Sequence, residues 1–400
     1  MARDHPKEFY LLFSRLAIII KLFHASGRLA SVAALSTTSP GASNLQSLVQ
    51  KRSLTSQISA RPYFPIFYND VYEVKLPANH RFPMEKYRKV RLMVQERISS
   101  LSQEHQHAVE CDFRVSPLAT FDELTLTHDV NYVRRFLNGD MTEAEIRNAG
   151  LPWSLAGVDR ALSSTGGTLA AAVAAVEEWQ PQEKVLQPHS DAEPTLPRRL
   201  CWSAHIAGGT HHAFADHGEG FCIFSDIAVA TNVVLQRFPS IVKNILILDL
   251  DVHQGNGNAV LFQGRPEVFT FSLHCGANYF SAKQESDLDI ELPAGSTDET
   301  YLMTLHHWLR RIKEESTGKF DLIFFQAGVD VLEEDRLGRL ALTQKGVQRR
   351  NDLVFQFAQD LNIPLVITMG GGYPRSNDWT PILHAHANVY LQAHQFLGRY

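Results

Sequence analysis

The chain has 400 residues, of which 44% are hydrophobic and 20% charged, with a formal net charge of -5. That balance is long enough and apolar enough to bury a sizeable core, and it excludes a disordered or fibrous protein. It also excludes a protein that grips DNA directly, which needs a basic face to neutralise phosphates, so any contact with chromatin must run through a protein tail.

The N-terminal stretch differs in composition from the rest. From Phe9 to Arg61 there is no acid, while Arg15, Lys21, Arg28, Lys51, Arg52 and Arg61 are basic and serine recurs. This composition predicts an extension over residues 1–61 that acts as a mitochondrial or plastid transit peptide; the alternative is a disordered or weakly amphipathic extension of a nuclear or cytoplasmic enzyme. The apolar run Leu16–Ile20 is too short for a membrane span, and Arg15 and Lys21 bound it. Residues 62–400 are expected to form the catalytic domain.

From about Tyr63 the pattern is that of an α/β protein, expected as a single three-layer αβα domain with a mostly parallel central sheet. Residues 165–179, rich in alanine, predict a packed helix, and residues 180–199, with four prolines, predict a surface loop. A weaker strand at 200–204 precedes Gly208-Gly209-Thr210-His211-His212. Stronger apolar strands are expected at 244–250, 268–273, 321–327 and 363–369. The first runs into Asp249-Leu250-Asp251-Val252-His253-Gln254-Gly255-Asn256-Gly257, the third into Asp330, and the last into Gly370-Gly371-Gly372-Tyr373.

On an extended backbone, residues two apart point to one side, so Asp251 and His253 can reach a single ion with Asp249 one step behind. Zinc accepts such an oxygen and nitrogen mixture. The bland reading is a buried strand whose acids cap the next helix. Polar groups at the carboxyl ends of several strands favour the site, because ligands of open α/β sheets bind there. Cys111, Cys201, Cys222 and Cys275 lack C-x-x-C spacing and suggest neither a zinc ribbon nor a disulfide framework; a reducing compartment fits them.

With these motifs in view, the chain resembles the zinc-dependent histone deacetylases of the arginase/deacetylase superfamily, most of all the class IV branch and its bacterial relatives. The resemblance runs from about Tyr63 to the C-terminus. It rests on His80-Arg81-Phe82-Pro83-Met84, Gly208 to His212, Gly220-Phe221-Cys222-Ile223-Phe224-Ser225-Asp226, Asp249 to Gly257, Gly328-Val329-Asp330 with Asp335-Arg336-Leu337-Gly338, and Gly370 to Tyr373. It implies zinc on Asp251, His253 and Asp330. It also implies His211 held by Asp249, His212 as general base, and Tyr373 as hydrogen-bond donor to the substrate carbonyl. Gly220 and Phe221 would line a lysine tunnel, with Tyr279 or Phe280 on the opposite wall. A potassium ion is implied at Asp249, Ser272 and Leu273 with the carbonyls of Asp251 and His253, and a second position at Phe262 and Val268, where Arg265 intrudes.

The chemistry stands without the name. Hydrolysis of an amide needs a polarised carbonyl, an activated water and a donor for the developing oxyanion; a metal supplies the first two, and an imidazole moves the proton. The expected substrates are acetyl-lysines in histone or other protein tails. Longer acyl-lysines and acetylated polyamines are alternatives, as is a catalytically silent acyl-lysine-binding corepressor scaffold, which retention of the whole set disfavours. An arginase-like binuclear manganese site would need acids where Gly255 and Asn256 stand. Two departures from class I matter: Gln254 and Asn256 replace a histidine and an aspartate, so His212 is expected to lean on an amide, and Gly150-Leu151-Pro152 lacks the acid that grips a substrate backbone.

Overall fold

In a computed structural model, which describes residues 63–78, 80–104, 109–179, 201–278, 281–315, 320–375 and 378–397, the chain builds one eight-stranded sheet. Its strands are β1 (Tyr63–Tyr68), β2 (Glu110–Val115), β3 (Trp202–His205), β4 (Ile245–Asp249), β5 (Val268–Cys275), β6 (Leu288–Leu292), β7 (Leu322–Gln326) and β8 (Leu365–Thr368). They lie in the order β2-β1-β3-β8-β7-β4-β5-β6, and every pairing between them is parallel. The segment 1–61, the loop 180–199 and the pair Tyr279 and Phe280 lie outside the described residues.

The central strands are apolar on both faces, as a sheet covered twice must be. Leu246 and Leu248 of β4, Ile323 and Phe325 of β7, and Leu365 and Ile367 of β8 point into one hydrophobic layer. Their alternates Ile245, Ile247, Leu322, Phe324 and Val366 point into the other. The first layer is closed by α1 (Lys86–Glu104), α8 (Asp298–Glu315), α9 (Gln344–Leu361) and α10 (Thr380–Leu397). The second is closed by α3 (Val130–Asn138), α5 (Leu155–Glu178) and α6 (Asp226–Arg237). Short helices α2 (Phe121–Leu124), α4 (Glu143–Ala149) and α7 (Asn256–Phe262) complete the described elements. The result is the expected three-layer αβα arrangement. Burying one of these Leu, Ile or Phe side chains is worth roughly 1.5–3 kcal/mol, so the two layers, rather than the loops above them, hold the frame.

Helix α5 begins at Leu155, ten residues before the expected start. The Ser154 hydroxyl caps it by accepting the Gly157 N–H at 3.0 Å, and Val158 and Ala161 are buried along the added turns, so tertiary packing overrides a poor local pattern. Strands β1, β2 and β6 carry no strong sequence signal. Pro65 sits inside β1, where β3 pairs only with Ile66 and Phe67, so its missing N–H costs the β3 ladder nothing. No helix among the described residues is long and apolar enough to cross a membrane.

This topology positions the site. β3, β8, β7 and β4 are the four central strands, and their carboxyl ends carry the loops with His211 and His212, with Gly370 to Tyr373, with Asp330, and with Asp251 and His253. Residues up to 162 positions apart in sequence therefore meet at one edge of one sheet.

Candidate active site

β4 ends at Asp249, so strand alternation is not what brings Asp251 and His253 together. They lie on a bend beyond it. There the Asp251 carboxylate accepts the His253 N–H at 3.0 Å and turns both side chains the same way. The expected pairing holds and its cause is corrected. His253 Nδ1 lies 3.1 Å from Asp251 Oδ1 and 3.3 Å from Asp330 Oδ2. Asp251, His253 and Asp330 offer one ligand atom each, all within 4.8 Å of one another.

The second oxygens of both acids are tied to backbone. Gly371 N–H donates to Asp251 Oδ2 at 2.7 Å and Val252 N–H to Asp330 Oδ1 at 3.0 Å, leaving Asp330 Oδ2 buried with His253 Nδ1 3.3 Å away. Two carboxylates and one imidazole nitrogen converging in this way fit a divalent cation, and the donor set suits zinc. Burial alone would lower the His253 pKa, but its hydrogen bonds to Asp251 and Asp330 push it up to about 10. The backbone crowds the same point: a Cβ on Gly371 would stand 2.0 Å from Asp330 Oδ2 and 2.8 Å from Asp251 Oδ2. Gly371→Ala is therefore expected to displace the carboxylates and lower zinc affinity by at least tenfold, as read by competition with a chromogenic chelator.

His211 and His212 stand beside the cluster with opposite electrostatics. His211 Nδ1 meets Asp249 Oδ2 at 2.7 Å, as expected of the acid set one step back. Burial opposes charge on His211, but Asp249 and Asp251 hold its pKa above the ordinary imidazole range. His212 is pushed well below that range, by burial first and then by His211 and His253. It is thus neutral at neutral pH, and its Nδ1 lies 2.6 Å from Asn256 Oδ1, the amide contact expected from the sequence.

Tyr373 joins His212, His253, Gly220 and Phe221 around a cavity of about 380 Å³, whose lining also includes Arg81, Asn278 and Arg339. Burial, then Asp330 and Asp251, raise the Tyr373 phenol well above its usual pKa, which keeps it protonated as a donor. Gly220 and Phe221 are the centre of a tight turn closed by Glu219 N–H to Cys222 O at 3.0 Å and Cys222 N–H to Glu219 O at 2.8 Å. Both have positive φ, 55° and 68°, as a type I′ turn requires. For glycine this is free, whereas for Phe221 it is a strained conformation retained where the ring forms the cavity wall. Ser272 and Leu273 sit beside Asp249 in the β4–β5 register, and the Ser272 hydroxyl contacts His274 Nδ1 at 3.0 Å.

Four residues hold the site without having been given a role from sequence. Asp335 accepts the N–H groups of Tyr373 (2.6 Å), Leu337 (2.7 Å) and Gly338 (2.8 Å), pinning the tyrosine loop; burial, then Asp330, raise its pKa to about 7. Lys86 is buried and donates to the carbonyls of Gly370 (3.2 Å) and Gly372 (3.1 Å), and burial brings its pKa down to about 8 against the pull of the site acids. Arg350, also buried, donates to the Gly328 and Leu250 carbonyls below the cluster. Asp226 receives Gly209 N–H (2.9 Å), Thr210 N–H (2.7 Å) and the Thr210 hydroxyl (2.7 Å), so it fixes the loop that presents the two histidines. Asp226→Ala leaves the Gly209 and Thr210 N–H groups without their acceptor and is expected to cost about 3 kcal/mol, read from the urea midpoint. Asp335 and Asp226 stand in conspicuous motifs; Lys86 and Arg350 look like ordinary helix-surface charges.

A doubly wound parallel sheet with an Asp-His-Asp cluster, a histidine pair and a tyrosine on neighbouring loops defines a class: α/β proteins with a candidate metal-assisted hydrolytic centre at the carboxyl ends of the central strands. More particularly, the chain belongs to the histone deacetylase family, since the family model described as "Histone deacetylase domain" matches residues 80–388. It is 39% identical over 314 residues to an uncharacterized protein of Picosynechococcus sp., covering 78% of this chain and 93% of that one. It is 28% identical to Histone deacetylase 2 of Arabidopsis thaliana, over 92% of this chain and 89% of the relative. It is 23% identical to the acetoin utilization protein AcuC of Staphylococcus xylosus, over 82% and 81% respectively. Family membership supports a deacetylase, and hence hydrolase, activity.

Proposed function

We propose that the protein is a zinc-dependent hydrolase that removes acetyl groups from N6-acetyl-lysine in protein tails, histones or others. The observation that carries this reading is one cavity lined by His253 of the three-donor cluster, by the neutral buried imidazole of His212 and by the protonated phenol of Tyr373. Asp251, His253 and Asp330 would hold the zinc, which when bound supplies Lewis acidity toward carbonyl and water.

The protein's own groups perform the rest. With its Nδ1–H on Asn256 Oδ1, His212 keeps Nε2 as acceptor, takes a proton from the attacking water and returns it to the departing lysine amine. The Tyr373 hydroxyl donates to the oxygen on which negative charge develops. His211, held by Asp249, lies against His212 with ring centroids 3.9 Å apart and planes tilted by 47°, and limits its movement. The products are acetate and a free lysine. Potassium at Asp249, Ser272 and Leu273 rests on the family resemblance and the strand register. Organellar targeting by residues 1–61 rests on composition; a fusion of that segment to a fluorescent protein tests it, and a purely nuclear or diffuse signal refutes it.

The function itself is tested with acetyl-, crotonyl- and myristoyl-lysine peptides and an acetylated polyamine, with and without a zinc chelator. Chelator-sensitive release of acetate from the acetyl peptide is expected. Turnover of the myristoyl peptide or the polyamine alone would replace the substrate, and chelator-insensitive turnover would remove the zinc.

A further inference from the structure

We infer that Glu219 is a positioning residue for His212, acting through the carboxamide of Asn256. The inference rests on the reading of His212 as the base and adds a residue behind it. A carboxamide has two nearly isosteric ends, so Asn256 could turn either its oxygen or its NH₂ toward His212. The two ends have opposite consequences. With oxygen forward, Nδ1 carries the proton and Nε2 is left as acceptor toward the cavity. With NH₂ forward, Nδ1 must accept, the proton moves to Nε2, and the imidazole loses its basic face.

Glu219 decides between them. It is buried, at 5% exposure, and its Oε1 accepts from Asn256 Nδ2 at 2.9 Å while its Oε2 accepts from the Ser281 hydroxyl at 3.1 Å. Both Glu219 oxygens accept, so the side chain claims the NH₂ end and turns the oxygen to His212, where the contact is 2.6 Å. An amide at position 256 thereby works as a directional acceptor, although a bare carboxylate would need no such direction. The location of Glu219 follows from the strained turn: it is the first residue of the Glu219–Cys222 turn that also sets Phe221 against the cavity. One turn thus aligns the cavity wall and the base.

The test is a double-mutant cycle on one acetyl-lysine peptide with the zinc-loaded full chain, with zinc content and thermal melts recorded for each variant. Glu219→Ala should lower kcat by about 10- to 100-fold with KM within twofold, because orientation of the base and not substrate binding is lost. Glu219→Gln should recover most of that loss, since its oxygen can still take the Asn256 NH₂ while its own NH₂ faces Ser281. Asn256→Asp alone should be impaired, because it sets two carboxylates against each other. The double variant Glu219→Ala/Asn256→Asp should exceed both single variants, because a carboxylate at 256 has no wrong end. If Glu219→Ala does not fold, Glu219→Met keeps the volume without the acceptor and takes its place in the cycle. A kcat within twofold of wild type in Glu219→Ala or Glu219→Met, or a double variant no better than the singles at equal zinc content, would overturn the inference. His212→Ala run in parallel separates the two layers: unchanged kcat there refutes the base role of His212 itself.

Discussion

Asp330→Ala is expected to yield a folded protein that retains no stoichiometric zinc and shows no deacetylation above background. Three donors leave no redundancy, and the two that remain, Asp251 and His253, satisfy each other as a hydrogen-bonded pair at 3.1 Å instead of facing a cation. The fold should survive because the substitution relieves as much as it removes. Asp330 is buried, its carboxyl is raised by burial and by repulsion from Asp251, and it also raises its neighbour Asp335. Taking that charge away eases like-charge crowding at the cost of the bond from Val252 N–H and the 3.3 Å contact with His253 Nδ1. Without metal, the variant should therefore melt close to the metal-free wild type. With saturating zinc, only the wild type should gain, by about 2.7 kcal/mol for each hundredfold excess over Kd. Calorimetry with and without zinc, together with metal analysis, checks both halves. Full zinc content in an active Asp330→Ala protein would remove Asp330 from the ligand set.

The frame and the ligands were legible in the sequence for one physical reason. Strands such as Ile245–Asp249 and Leu322–Gln326 are buried on both faces, so they stand out as continuous apolar runs, and whatever polar residue follows them is at the carboxyl edge of the sheet. That reasoning reached Asp251, His253, Asp330, His211, His212 and Tyr373. It could not reach strands whose neighbours supply the burial. β6 is an edge strand with four of its five residues half-buried or exposed, and β1 contains a proline.

Groups defined by a single long-range contact were likewise hidden. Lys86 opens a helix among other cations, and nothing in Lys86-Tyr87-Arg88-Lys89 distinguishes the one lysine that turns inward to Gly370 and Gly372. Glu219 precedes a glycine in an unremarkable turn, and only the fold places it behind Asn256. Asn256 was legible as an amide where a carboxylate is common, but not as one with a fixed direction.

Tyr373→Phe separates the chemistry from the metal. Tyr373 is held from its backbone: its N–H donates to Asp335 at 2.6 Å and its carbonyl accepts from Arg336 N–H at 2.9 Å, so loss of the hydroxyl leaves the loop in place. The ring continues to pack near Phe221, with centroids 6.2 Å apart, and beneath the Lys86 ammonium, 5.4 Å from its centre. Zinc content and melting temperature should therefore match the wild type. What disappears is one donor that is protonated at neutral pH and fixed before the substrate arrives. In a site screened from water, one such donor is worth about 10² to 10³ in kcat. The loss should fall on kcat and not on KM, because the hydroxyl bonds more strongly to an oxygen gaining negative charge than to a ground-state amide. A steady-state comparison on one acetyl-lysine peptide decides it. A raised KM at unchanged kcat would make Tyr373 a substrate-binding wall residue, and the oxyanion donor would then have to come from elsewhere in the cavity.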